Sequence, residues 1–310
     1  MDVLLQGAVH RISVGSKSFA AAARLLPPDK RASVRLLYTW CRHCDDAIDG
    51  ETLGFRAAPD HIPPGEHLAR LVAGTDLALN GRSTEPEFRA LERVVAEHAI
   101  PARYPRELLA GMEMDVRGDR FQSIEDTLSY CYHVAGVVGV MIAIILDARD
   151  GATLERASDL GIAFQLTNIA RDIVADAERG RVYLPSTWLA VEGLTTETIL
   201  DQERRGGLFK VAQRLLSLSD GYYESAVAGI ARLPFRSAFA IATARRVYRR
   251  IGTRILEQGA TSWDQRIATS RREKAVACVL AMADVVALNA IPDGSARPRD
   301  GLWTPQGLIA

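Results

Sequence analysis

Residues 38–49 read YTWCRHCDDAID, and residues 165–176 read QLTNIARDIVAD. In the first segment Tyr38, Arg42, Asp45 and Asp49 recur at steps of four, three and four. At about 100° per residue they share one helix stripe roughly 60° wide. Trp40, Cys41, Cys44, Ala47 and Ile48 leave little else of that helix polar, and Asp46 adds a third carboxylate. Taken alone, this stripe reads equally as a site or as a solvated face carrying an ordinary Arg42–Asp45 pair. The second segment mirrors it, with Gln165, Asn168, Asp172 and Asp176 at steps of three, four and four on a mostly apolar helix. Burying so many amides and carboxylates without partners is costly, whereas hard divalent cations take this kind of oxygen set. Two facing aspartate-lined helices thus make a magnesium cage. Magnesium commonly bridges a few carboxylates to phosphate, so the ligand implied is a phosphate ester or diphosphate, and the chemistry is metal-assisted departure of diphosphate.

Outward from these segments the pattern stays helical. Prolines at 27–28, 59–64, 86, 101, 105, 185, 234 and 292 separate long stretches of helix spacing. The periodicity predicts helices over 29–50, 105–116, 123–147, 154–177, 207–230, 236–258 and 271–290, and strand signals are scarce. The fold class is all-α, with a single domain over 1–291. The Pro-rich stretch 59–67 reads as a surface loop, and 292–310 as a loose tail.

Composition narrows the function. The chain has 310 residues, 48% hydrophobic, with Lys+Arg and Asp+Glu equal at 38 each. That balance removes the broad attraction of a dedicated nucleic-acid or acidic-lipid binder, so no nucleic-acid partner is expected. Four unevenly placed cysteines, Cys41, Cys44, Cys131 and Cys278, do not form a disulfide scaffold, and with no apolar signal core at the N-terminus they indicate the cytoplasm. The apolar run 134–146 falls short of the roughly 20 residues that span a bilayer. Cys41 and Cys44 have C-x-x-C spacing but lack a second ligand pair, and half-buried helix cysteines explain them better than zinc or redox chemistry. Residues 15–18, Gly-Ser-Lys-Ser, lack the order and the preceding strand of a phosphate-binding P-loop. For Arg245, Arg246, Arg249, Arg250 and Arg254 three readings stand: a solvated face, a diphosphate entry path, or contact with an anionic membrane. His133 reads as a core histidine or as an aid to proton transfer.

Together these segments resemble the head-to-head prenyl synthases, the squalene and phytoene synthases. Residues 16–19 (SKSF) are similar to that family's N-terminal motif, 38–49 to its first aspartate-rich motif, 130–139 to its central signature, and 160–176 followed by 180–185 (GRVYLP) to its second. The resemblance runs from residue 10 to about residue 285. Ile142 departs conservatively from the usual central signature. The wording NIARDIVAD, GRVYLP and 263–266 (WDQR) looks like the bacterial phytoene-synthase branch.

The resemblance implies an isoprenoid-synthase helical fold with a central cavity. It also implies condensation of two geranylgeranyl diphosphates to phytoene through prephytoene diphosphate, the first committed step of carotenoid biosynthesis. By that carry-over Asp45, Asp49, Asp172 and Asp176, with Asn168, hold magnesium, or manganese in its place, and no NADPH is expected. Lys17, Ser18, Phe19, Gln165, Arg42, Arg171 and Arg266 would attend the diphosphates. Tyr38, Tyr130, Tyr183 and Tyr248 would line the chamber, with Tyr130 the better candidate for facing a cation or relaying a proton, and a buried tyrosine bonded to backbone the lesser alternative for it. The run 134–146 reads as a chamber wall or as a plain core helix. Peripheral membrane contact and association with other carotenoid enzymes are further expectations. The alternatives are squalene or dehydrosqualene synthase acting on farnesyl diphosphate, and a noncatalytic helical or lipid-binding subunit, against which the intact aspartates speak.

Overall fold

The computed structural model describes residues 17–52, 55–56, 62–290 and 299–305. A short helix α1 (Lys17–Ala23) leads into α2 (Pro28–Asp49), which begins with proline in its first turn and ends at Gly50 in a left-handed conformation, φ 63°. Val34, Leu36, Leu37, Trp40 and Cys44 bury one broad face of α2. A two-residue hairpin (Glu51–Thr52 with Phe55–Arg56) follows. Then come α3 (Pro64–Leu79), α4 (Pro86–His98) and α5 (Arg103–Arg117). The first of these corrects the expected 59–67 loop: Pro64 is the first helical residue, a position where its missing N–H costs nothing. Residues 59–61 lie outside the described residues.

The stretch expected as one helix over 123–147 is interrupted. Helix α6 (Ile124–Cys131) passes through a π-turn (Tyr132–Gly136) into α7 (Val137–Ile145). By length and composition 124–145 could cross a membrane, but 61% of its apolar window is buried in the protein, as befits a core helix. The reason is α8 (Gly151–Ala177), the central helix, which packs along α7 and the π-turn. A Cβ at Gly161 would lie 2.2 Å from the Ala135 carbonyl oxygen, and one at Gly139 would lie 2.3 Å from that of Ala157. The helices therefore touch backbone to backbone, and the π-turn is the local adjustment at that contact.

The chain closes with α9 (Ser186–Val191), α10 (Arg205–Ile230), α11 (Phe235–Gln258) and α12 (Arg271–Ala290). α10 and α11 cover the other side of α8. The five-arginine cluster on α11 is neutralised within the protein. Arg245 and Arg249 pair with Glu224 on α10, Arg246 with Asp284 on α12, and Arg250 and Arg254 with Glu273. Those pairs clamp three helices together and remove the basis for reading the cluster as a phosphate path or membrane patch.

The tail also departs from expectation where it is described. Arg299 donates to both oxygens of Asp159, at 2.8 and 2.6 Å, and to Glu155 at 2.6 Å. Asp159 is fully buried in α8, so its charge requires this partner. The Trp303 backbone N–H donates to the Tyr222 hydroxyl at 3.1 Å, docking the segment. Arg299→Ala should therefore cost on the order of 3–5 kcal/mol, the range for stranding one half of a buried ion pair. Denaturant unfolding checks it; an unchanged midpoint would show that the 299–305 segment carries no stability.

Candidate active site

A cavity of about 690 Å³ runs through the bundle beside α8. Its polar end is lined by Arg42 and Asp45 from α2, by Gln165, Asn168 and Arg171 from α8, and by Arg266 from the loop after α11. Its remaining wall is mostly apolar, with Val134, Val138, Ile142, Leu160, Phe164 and Ile230 among the residues that form it and Thr153, Arg156, Thr269 and Lys274 as polar exceptions. The run 134–146 thus walls the chamber and packs in the core at once. Tyr38 and Tyr248 also line it, and the Tyr248 ring stacks on Phe164 with centroids 4.1 Å apart. The Asn168 amide donates to the Gln165 carbonyl oxygen at 3.4 Å.

The other aspartates stand outside that lining. Asp49 is bound by Arg181, and Asp172 by Arg171 with a second arginine, Arg266, at 3.7 Å. Arg42 pairs at 2.6 Å with Asp46, and the charge of Asp45 also acts on it. Asp46 is buried, so the carboxylate that lies off the stripe fixes the guanidinium on the stripe. Asp45 consequently keeps a poorly compensated charge: burial, then Asp49, Asp46 and Asp115, push its carboxyl up to about 7 against the pull of Arg42. Asp176 is likewise pushed up to about 7, by burial and then Asp172, although Arg179, Arg181 and Arg171 oppose the shift.

Two expected chamber residues are placed elsewhere. Tyr130 and Tyr183 stack on each other with centroids 4.5 Å apart, and their hydroxyls donate to Asp115 at 3.0 and 2.8 Å. Neither lines the cavity; together they hold a half-buried carboxyl that loss of solvent has pushed above its ordinary range. Asp115 and Arg181 are the residues sequence reasoning missed. A signal for Asp115 was available: it follows Leu108 by seven and Met112 by three, on the stripe that α5 buries. Arg181 lies in GRVYLP, and it ties the end of α8 to Asp49 of α2. His133 is satisfied by the Ser129 carbonyl at 2.7 Å. Cys41 and Cys44 are buried free thiols pushed up by burial, in keeping with structural rather than redox cysteines. Lys17, Ser18 and Phe19 stand in α1, but their side chains, like Ser16, lie outside the described residues.

Among the described residues no three His, Cys, Asp or Glu groups stand together as a metal cluster. The donor chemistry nevertheless fits a hard divalent cation. Asp45 and Asp176 are half-buried carboxylates with surplus negative charge, Asn168 and Gln165 offer amide oxygens, and the one thiol in the cavity lining, Cys41, is kept protonated by burial. Asp49 and Asp172, also expected as ligands, are engaged here by Arg181 and Arg171.

The chain belongs to the squalene/phytoene synthase family, whose model matches residues 12–273. It is 51% identical over 276 residues to a 15-cis-phytoene synthase of Enterobacter agglomerans, covering 89% of this chain and 94% of that one. A 15-cis-phytoene synthase of Paracoccus sp. strain N81106 is 44% identical over 98% of both chains. Among solved structures, a dehydrosqualene synthase in complex with ligand superposes with a TM-score of 0.82 at 25% identity, over 92% of this chain and 97% of that one. The activity is prenyl transfer, the head-to-head condensation of prenyl diphosphates with a divalent metal, and the branch is that of the bacterial phytoene synthases.

The raised carboxyls set a pH dependence. Between the ordinary value of 3.8 and about 7, folded Asp45 and Asp176 retain protons that the unfolded chain has released. Stability of the metal-free protein should therefore fall as pH rises through that window. At about pH 8 without metal, Asp45→Asn and Asp176→Asn should raise the thermal midpoint by several degrees, a gain that fades below about pH 4. Asp172→Asn, which removes the partner of Arg171, should not. Thermal scans of the three variants with chelator decide it, and equal shifts in all three would contradict the assignment of surplus charge.

Proposed function

We propose that this protein condenses two geranylgeranyl diphosphates to phytoene through prephytoene diphosphate, with magnesium as its metal and without nicotinamide. The observation that carries this reading is a charged end opening into a long apolar cavity. Along α8 the lining extends from Arg171 back to Arg156, a rise of about 22 Å at 1.5 Å per residue. That length suits the twenty-carbon chain over the fifteen-carbon farnesyl chain of the sister enzymes.

The charged end stabilises the leaving group. A bound divalent cation, held by Asp45, Asp176 and Asn168 together with Asp49 and Asp172, would supply Lewis-acid neutralisation of the diphosphate. Arg42, Arg171 and Arg266 bind phosphate oxygens, and Asp46 keeps Arg42 aimed. The apolar wall excludes water from the allylic cation that remains. The Tyr38 ring and the stacked Phe164–Tyr248 pair present aromatic faces at the junction of charged and apolar surface. Burial holds the Tyr38 hydroxyl protonated, so it serves as a hydrogen-bond donor.

Incubation with farnesyl or geranylgeranyl diphosphate, with and without magnesium and NADPH, followed by mass analysis, tests the reading. A forty-carbon hydrocarbon formed without reductant and abolished by chelation is expected; a dominant thirty-carbon product would move the assignment to the sister activity. Asp45→Asn should lower turnover by at least about 100-fold with the fold intact. Asp46→Asn, which retains an oxygen to accept from Arg42, should cost less.

Membrane contact finds support on a different surface from the arginine cluster. The outer face of α12 exposes Val276, Val279, Leu280, Met282 and Val286, at 38–70%, while Lys274 in its first turn lines the cavity. Arg271 and Arg272 stand exposed at the same end, and both acidic residues of the helix are paired with arginines. An apolar stripe with cations beside a lipid-binding cavity suits an anionic bilayer surface. Flotation with anionic vesicles should capture the protein and lose Val279→Glu; equal flotation of both would reject this face.

A further inference from the structure

We propose that Arg156 is the length gauge of the cavity, the residue that fixes how long an isoprenoid chain the site admits. This rests on the prenyl diphosphate reading above. The cavity end remote from Asp45 is built where α7, α8 and α10 terminate, from Leu146, Thr153, Arg156, Gly229 and Ile230. Twelve residues separate Arg156 from Asn168, which puts them about 18 Å apart along α8. The wall between them is apolar through Ala157, Leu160, Gly161 and Phe164, and Arg156 ends it with a cation.

That cation is held in place from two sides. Its Nη1 donates to the Ser225 hydroxyl at 2.7 Å, and Ser225 donates in turn to the fully buried Asp159. Asp159 is gripped by Arg299 of the C-terminal segment. The stem of Arg156 is fixed by Gly229, where an added Cβ would lie 2.6 Å from the Arg156 Cβ. A hydrocarbon tail can push aside a methionine or leucine by a change of rotamer. It cannot push aside a guanidinium without breaking the bond to Ser225 and leaving polar groups unpaired next to hydrocarbon. The chain therefore stops at Arg156, and the 299–305 segment acts on the cavity by holding the carboxylate behind it.

Competition among farnesyl, geranylgeranyl and geranylfarnesyl diphosphates, with magnesium and mass analysis of the products, reads the gauge. Arg156→Ala should raise the relative kcat/KM of the twenty-five-carbon substrate at least about tenfold, the scale of even one extra methylene in an apolar pocket. Gly229→Ala, which forces Arg156 toward the cavity, should shift preference toward farnesyl diphosphate, and it carries the test if Arg156→Ala does not fold. Calorimetric binding of the three chains as unreactive thiolodiphosphates gives the same information without turnover. A wild-type length profile in the folded variants would overturn the gauge. A wild-type protein that binds the chains with a sharp length limit but condenses none would overturn the proposed reaction and leave the gauge standing.

Discussion

The structure turns on carboxylates that the fold half-buries without fully neutralising. Asp45 on α2 and Asp176 on α8 sit where burial and neighbouring aspartates push each to about 7, even though arginines stand close to both. Such an arrangement is a liability for the empty protein and an advantage once a cation and a diphosphate arrive, because the charge that destabilises the apo state is the charge that holds the ligand. The surrounding arginines share this logic. Arg171 and Arg181 occupy Asp172 and Asp49, so the pair of stripes is partly self-neutralised.

Everything apolar in the fold serves to place that charge at one end of a long cavity. α8 contributes to both parts, with amide and charged groups in its C-terminal half and, in its N-terminal half, a hydrocarbon wall that ends at Arg156. The close approach of α7 to α8, enforced by Gly139 and Gly161, aligns the wall residues Val134, Val138 and Ile142 opposite Leu160 and Phe164. Behind α8 the Asp159–Arg299 pair and the arginine clamps of α11 hold the outer helices, so the cavity is bounded by a rigid scaffold.

The helices and the polar end of the site were legible in the sequence because they depend on local periodicity. The 3.6-residue repeat placed α2, α5, α8, α10, α11 and α12 within a few residues, and the same repeat put Asp45 on a stripe with Arg42. What it could not carry was tertiary partnership. Tyr130 and Tyr183 were expected at the chamber, but which way a buried tyrosine faces depends on Asp115, whose own helix lies elsewhere in the chain. The arginines of α11 looked like a surface patch because their partners, Glu224, Glu273 and Asp284, come from two other helices. The tail looked loose because one arginine in a Gly- and Pro-rich stretch gives no hint of a buried aspartate more than a hundred residues away.

The central claim is that the half-buried carboxylates Asp45 and Asp176 wait, partly protonated, for a cation and a diphosphate. Calorimetry of inorganic pyrophosphate binding near pH 7, with and without magnesium and in two buffers of different ionisation enthalpy, tests it most directly. The account predicts tight binding only with magnesium, accompanied by a release of protons that is reduced in Asp45→Asn and Asp176→Asn. Binding of equal strength without magnesium, or with the same proton release in wild type and both variants, would contradict it.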